Sequence, residues 1–241
     1  MKKTARPRIA VALDVEERAR ALELVRMLRP EIAMFKIGSR LFTSEGPPMI
    51  REMKALGASI FLDLKFHDIP ATVAGAVRAA SAMGVGMMTI HASGGLAMMR
   101  SAAEAAAEES ARLRAERPLL VGVTVLTSLS ADDLARLFGA AGGVRDTVLR
   151  LAELAREAGL DGVVASVEET ALIKAKLGPD FLVVTPGIRP AGAGVDDQKR
   201  IATPRAARDA GADVLVVGRP VIEAPSPIEA ARRMLEELER E

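Results

Sequence analysis

Eight short, mostly apolar runs recur along the chain, at 8–13, 32–37, 59–64, 87–90, 119–126, 162–165, 182–185 and 214–217. They are near-continuous Val, Ile, Leu and Met instead of the alternation of a half-wet sheet, which is how strands read when both faces are covered. Between them lie stretches rich in Ala, Leu, Arg and Glu. Good helix formers in those places predict helices over 16–28, 47–56, 72–83, 95–114, 144–158 and 168–177. A last helix over 227–240 sets Ile228, Ala231, Met234, Leu235 and Leu238 on one side. Gly57, Gly84, Gly159 and Gly211 each stand a few residues before a strand, where a helix C-cap belongs. This strand–helix alternation within 241 residues predicts an α/β fold, a (β/α)8 TIM barrel forming one domain over 1–241. A doubly wound open sheet is the competitor. It is disfavoured because no G-x-G-x-x-G follows the first strand and no P-loop occurs.

The charge balance narrows the function. Lys and Arg number 33 against 32 Asp and Glu, so a general nucleic-acid or membrane-surface binder, which needs a basic surplus, is not expected. Aromatic residues are 2% of the chain, too few for base-stacking platforms. The absence of cysteine excludes disulfides, thiol nucleophiles and thiolate metal sites. No run approaches the roughly 18 apolar residues of a membrane span. The basic start is followed by too short an apolar run, and then Asp14, to be a signal peptide. The expectation is a cytoplasmic protein.

A barrel places reactive side chains at the carboxyl ends of its strands. Those ends carry, in order, Asp14, Lys36, Asp63 with Lys65, His91, Thr127 with Ser128, Ser166, the run 186–189 (Pro-Gly-Ile-Arg), and Gly218 with Arg219. The densest is FLDLKFHDIPATV at 61–73. Asp63 and Lys65, two apart on an extended strand, point to the same side. Asp68 follows in the loop, and Pro70 ends any strand. A surface salt bridge worth about 0–1 kcal/mol would look similar. Asp63, however, directly follows Ile60, Phe61 and Leu62, so it lies near the buried end and needs partners; Lys65 and Lys36 are candidates. An array of Lys36, Asp63, Lys65 and Asp68 is neutral overall yet holds a fixed internal field, suited to a reaction that moves charge. The second cluster is Arg189 and Arg219, each in a run that also places a glycine just after one of the last two strands, the usual phosphate site of this fold. Between them, 191–197 is rich in Gly and Ala and reads as a lid carrying Gln198.

Taken together, VALDV (11–15), FKIG (35–38), DLKFHDIPATV (63–73), TIHASGG (89–95), VTVLTSL (123–129), TPGIRP (185–190) and GRPV (218–221) resemble the orotidine 5′-phosphate decarboxylase family over essentially the whole chain. The D-x-K-x-x-D-I-P-x-T string is specific to it. The resemblance implies release of CO2 and UMP from orotidine 5′-phosphate with no cofactor and no metal. Asp14 and Lys36 would contact the ribose, Asp63 would face the substrate carboxylate, and Lys65 would protonate C6. Asp68 and Thr72 would reach the neighbouring subunit's site, making the active unit a homodimer, and Ile69 would belong to the substrate-binding set. Thr127 or Ser128 would meet the pyrimidine; Pro186, Arg189, Gln198, Gly218 and Arg219 would line the substrate and phosphate site. His91 is either catalytic or a packed strand-end residue, and His67 is structural or solvent-facing. Two alternatives stand beside this reading. A magnesium-dependent sugar-phosphate decarboxylase or aldolase of the same superfamily would carry an acid at the position of Lys36. A silent phosphate-ligand binder would lack a member of the charged set.

Overall fold

The computed structural model describes residues 8–138, 143–190 and 201–239. Its strands are β1 (Arg8–Ala12), β2 (Met34–Gly38), β3 (Ser59–Phe66), β4 (Met87–His91), β5 (Leu119–Val123), β6 (Gly162–Val164), β7 (Leu182–Thr185) and β8 (Val214–Val217). Each pairs in parallel with the next, and β8 returns to β1 with Ala10 opposite Val216. The barrel closes as the apolar runs predicted.

Helices α1 (Arg18–Leu28), α2 (Ser39–Ala55), α3 (Pro70–Ala82), α4 (Gly95–Leu113), α5 (Ala131–Phe138), α6 (Val144–Glu157), α7 (Val167–Leu177), α8 (Pro204–Asp209), α9 (Arg219–Ile222) and α10 (Pro227–Glu239) follow the strands in turn. Two expectations need correction. Helix α2 begins at Ser39, not at residue 47: its first turns run to a kink at Gly46, at φ 62°, and the helix resumes through Pro47 and Pro48. A proline pair with no N–H to donate fits a first turn, so the break imitates a start. The short α5, α8 and α9 were also not anticipated. For α5 a signal existed. Ser130 and Asp133 cap it reciprocally, with the Asp133 carboxylate accepting from the Ser130 N–H at 2.8 Å and Ser130 Oγ accepting from the Asp133 N–H at 3.2 Å.

Packing divides into two cores. The larger lies between barrel and helices, on strand residues such as Ile9, Val11, Phe35, Ile37, Ile60 and Leu62. The smaller fills the barrel itself with Ala10, Met34, Phe61, Met87, Val121, Val184 and Val214, and Val164 packs against it from β6. Strand parity sends odd and even residues to opposite faces, so every strand sends at least one residue into this interior plug, with Leu119 and Val216 adding a second from β5 and β8. The plug is the floor on which everything above it stands.

Candidate active site

Two residues beyond the plug on each strand, parity returns the side chain to the barrel interior. Met34 leads to Lys36, Phe61 to Asp63, Met87 to Thr89 and Val121 to Val123. Charged and hydroxyl groups thereby form a layer directly above an apolar one. A cavity of ≈ 480 Å³ opens there, walled by the carboxyl ends of the strands.

Lys36 and Asp63 are buried, at 8% and 9% exposed. Lys36 Nζ lies 3.3 Å from Asp63 Oδ2 and 3.5 Å from Asp14 Oδ1. Lys65 Nζ donates to Asp63 Oδ1 at 2.9 Å, and the Thr89 hydroxyl donates to the same oxygen at 3.0 Å. Burial pushes the Asp63 carboxyl up; Lys36, then Lys65, with hydrogen bonds from Lys65 and Thr89, outweigh it and hold the group below the ordinary carboxylate range. Asp63 is therefore ionised at neutral pH. Gly38 keeps room for this arrangement, since a Cβ there would stand 3.3 Å from Lys36 Nζ and 3.4 Å from Asp14 Oδ1.

Lys65 departs from the expected extended strand. Its φ is 51°, in the left-handed region that costs a residue with a Cβ about 1–2 kcal/mol. Its ammonium still meets Asp63, but through a distorted backbone and not through simple two-residue alternation. With its side chain 36% exposed, Lys65 remains in contact with solvent from the cavity.

Of the residues expected here, Asp14, Lys36, Asp63, Lys65, Thr127, Pro186, Arg189, Gly218 and Arg219 all line the cavity. Arg189 is buried, and its N–H donates to the Ala202 carbonyl at 2.9 Å while the Ala202 N–H donates to the Gly187 carbonyl at 3.2 Å. These bonds tie together the two ends of the segment between β7 and α8. Gln198 and the predicted lid at 191–197 lie outside the described residues. Ser128 is exposed and not part of the wall, and Ser166 is buried as the N-cap of α7, where its N–H donates to Glu169 at 3.2 Å. Asp68, Ile69 and Thr72 are also exposed and off the wall. Asp68 Oδ1 accepts from the Ile69 N–H at 2.6 Å, and Ile69 is 67% exposed at the start of α3. Within one chain the four-charge array is thus three of its members plus Asp14.

His91, half-buried at the end of β4, packs against the exposed His67 with ring centroids 5.1 Å apart and the rings tilted by 35°. Neither reaches the cavity wall. Burial, then His67 and Lys65, hold the His91 imidazole below the ordinary histidine value against a pull from Asp63. Sequence reasoning missed Arg40 and Glu223 at the rim and Thr89 beneath it. Arg40 pairs with Glu16.

The chain is similar to proteins of known family and structure. The profile of the Orotidine 5′-phosphate decarboxylase / HUMPS family matches residues 7–234. The chain is 49% identical to the orotidine 5′-phosphate decarboxylase of Moorella thermoacetica, over 98% of this chain and 93% of that one. It is 51% identical to that of Syntrophotalea carbinolica, over 97% of this chain and 96% of the other. Among solved structures, the crystal structure of orotidine 5′-phosphate decarboxylase from Lactobacillus acidophilus superposes with a TM-score of 0.86 at 36% identity, covering 98% of this chain and all of that one.

Proposed function

Because the chain belongs to the Orotidine 5′-phosphate decarboxylase / HUMPS family, we propose that its cavity takes orotidine 5′-phosphate and releases CO2 and UMP, the last step of pyrimidine nucleotide synthesis, in the cytoplasm. The observation that carries this is the ion-paired Lys36–Asp63–Lys65 trio at the cavity floor, with Lys36 and Asp63 buried. In the reaction the bond from C6 to the carboxylate breaks, CO2 leaves neutral, and the electron pair stays on C6. Lys65 Nζ then gives C6 a proton and is recharged from solvent.

No conjugated sink is available to that electron pair, so the rate must come from stabilising the anion more than the parent acid. An ionised Asp63 beside the substrate carboxylate opposes the ground state. The Lys65 ammonium favours charge arriving at C6, and because the trio is already fixed, little reorganisation is needed as charge moves. Asp14 and Lys36 hold the ribose, Thr127 meets the base, and Arg189 and Arg219 grip the phosphate with Gly218 and Gln198. Phosphate binding far from C6 contributes to the rate as well as to affinity. Asp68 of the partner subunit completes the charged quartet, with Ile69 and Thr72 of the partner subunit beside it. A homodimer is the working unit.

The test follows absorbance during conversion of orotidine 5′-phosphate to UMP. Lys65→Ala should lower kcat by at least about a thousandfold, the size expected when a positioned proton donor and its charge are removed together. Undiminished turnover in that variant overturns the role given to Lys65. The family also holds enzymes of sugar phosphates that use a magnesium ion. Against that reading, Lys36 sets an ammonium 3.3 Å from Asp63, where the magnesium enzymes place an acid. Activity abolished by EDTA would favour it.

A further inference from the structure

Between β3 and β4 the pairing slips. Leu62 is opposite Met88 and Phe66 is opposite Ile90, so Asp63, Leu64 and Lys65 face the single residue Thr89. A bulge of this kind re-aims side chains but takes main-chain groups out of the ladder. Thr89 meets one of them. Its Oγ1 is 2.8 Å from the Lys65 main-chain nitrogen and 3.0 Å from Asp63 Oδ1.

Only one direction of bonding fits. An N–H can only donate and a carboxylate can only accept, so the Thr89 oxygen receives the Lys65 proton and points its own at Asp63. The chain N–H···O–H···O⁻ runs from the backbone of Lys65 to the carboxylate of Asp63, each bond polarising the next. Lys65 Nζ closes the circuit on the same Asp63 oxygen at 2.9 Å. Thr89 is fully buried and is not part of the cavity wall, so it touches no substrate. Lys65, whose left-handed backbone this hydroxyl supports, is one of two such non-glycine residues among the described residues; the other, Arg114, merely ends α4.

We propose that Thr89 is a positioning residue: its hydroxyl holds the bulge in the shape that aims the Lys65 ammonium into the cavity and fixes Asp63 beside it. This rests on the decarboxylase reading above. It asks for a hydroxyl in particular. Valine would fill the same volume but leave the Lys65 N–H without its acceptor and Asp63 short of a donor, whereas serine would keep both bonds.

The experiment compares wild type, Thr89→Val and Thr89→Ser for kcat with orotidine 5′-phosphate and for the Kd of UMP. Thr89→Val should lose about 10- to 100-fold in kcat while UMP affinity stays within about threefold, because phosphate and ribose contacts are untouched. Thr89→Ser should recover kcat to within about threefold of wild type. The acid limb of the Thr89→Val rate profile should move to higher pH, since Asp63 loses a donor while Lys36, Lys65 and His91 still face it. Wild-type kcat in Thr89→Val, or a serine variant as slow as the valine one, overturns the proposal. Hydrogen exchange at the Lys65 amide of the wild type needs no variant. Slow exchange is expected, and exchange as fast as an open loop overturns the link even if Thr89→Val does not fold. If the wild type fails to turn over orotidine 5′-phosphate, the substrate reading falls, while the amide measurement still judges the Thr89 bond.

Discussion

At Asp63 one carboxylate answers to two lysines and a threonine, and its depressed pKa links the site to stability. A group that holds its proton less tightly folded than unfolded stabilises the fold above its unfolded value, about 3.9 for Asp, and that contribution is lost as pH falls through the folded value below it. Urea denaturation of wild type and Asp63→Asn between about pH 7 and about pH 3 should show wild type losing stability relative to the variant in the acid range. His91, depressed as well, acts with the same sign but is present in both proteins, so the difference reports Asp63. A constant gap between the two curves would contradict the ionised assignment. Asp63 and Lys65 were legible because a charge directly after three apolar residues is costly unless paired. Lys36 was legible for the same reason at the end of β2. Thr89 was not: a threonine in a strand is ordinary, and its value comes from a three-against-one bulge that no residue pattern declares. Nor could sequence tell that Ser128 turns outward while Thr127 lines the wall, since both carry a hydroxyl and only the path of the chain after β5 separates them.

At the level of strands and helices, apolar runs between helical stretches located all eight strands, with β3 running two residues further and β5 stopping three residues sooner than its run. Helix positions were legible where composition was uniform. They failed at α2, where Gly46 and the prolines imitate an N-terminus, and at α5, α8 and α9, which are too short for periodicity to declare. Glycine has a sharper meaning within strands. On β6, a Cβ at Gly162 would run into the Leu182 carbonyl, with its carbon at 2.7 Å, and backbone held in a barrel ladder cannot step aside. Gly162→Ala should therefore cost about 3 kcal/mol. Gly94→Ala is the control, because the atoms it meets first are the sulfur and terminal methyl of Met98, the movable end of a flexible side chain. It should cost about 1 kcal/mol or less. Thermal unfolding of the two variants side by side checks the order, and equal losses would show that β7 yields.

The molecule as a whole presents a cavity with nearly everything the proposed chemistry needs, while Asp68, Ile69 and Thr72 stand outside its own wall. If these residues serve a neighbouring copy, two defects in different places should repair one another. Mixing the Lys65→Ala chain with the Asp68→Ala chain, after exchange of subunits, gives mixed dimers in which one site draws an intact Lys65 and an intact Asp68 from different chains. Random pairing then restores roughly a quarter of wild-type activity from two inactive preparations, since half the two-fold dimers are mixed and each holds one sound site. A mixture as inactive as its parts contradicts the shared site. Among the described residues, no helix is long and apolar enough to cross a membrane. The outward-facing ledge before α3 also has a genetic side. If Asp68 does serve the neighbouring copy, then in a cell carrying one sound allele and one bearing Asp68→Ala the flawless copy is silenced whenever it is wed to the damaged one, and the lesion is felt in the wrong protein.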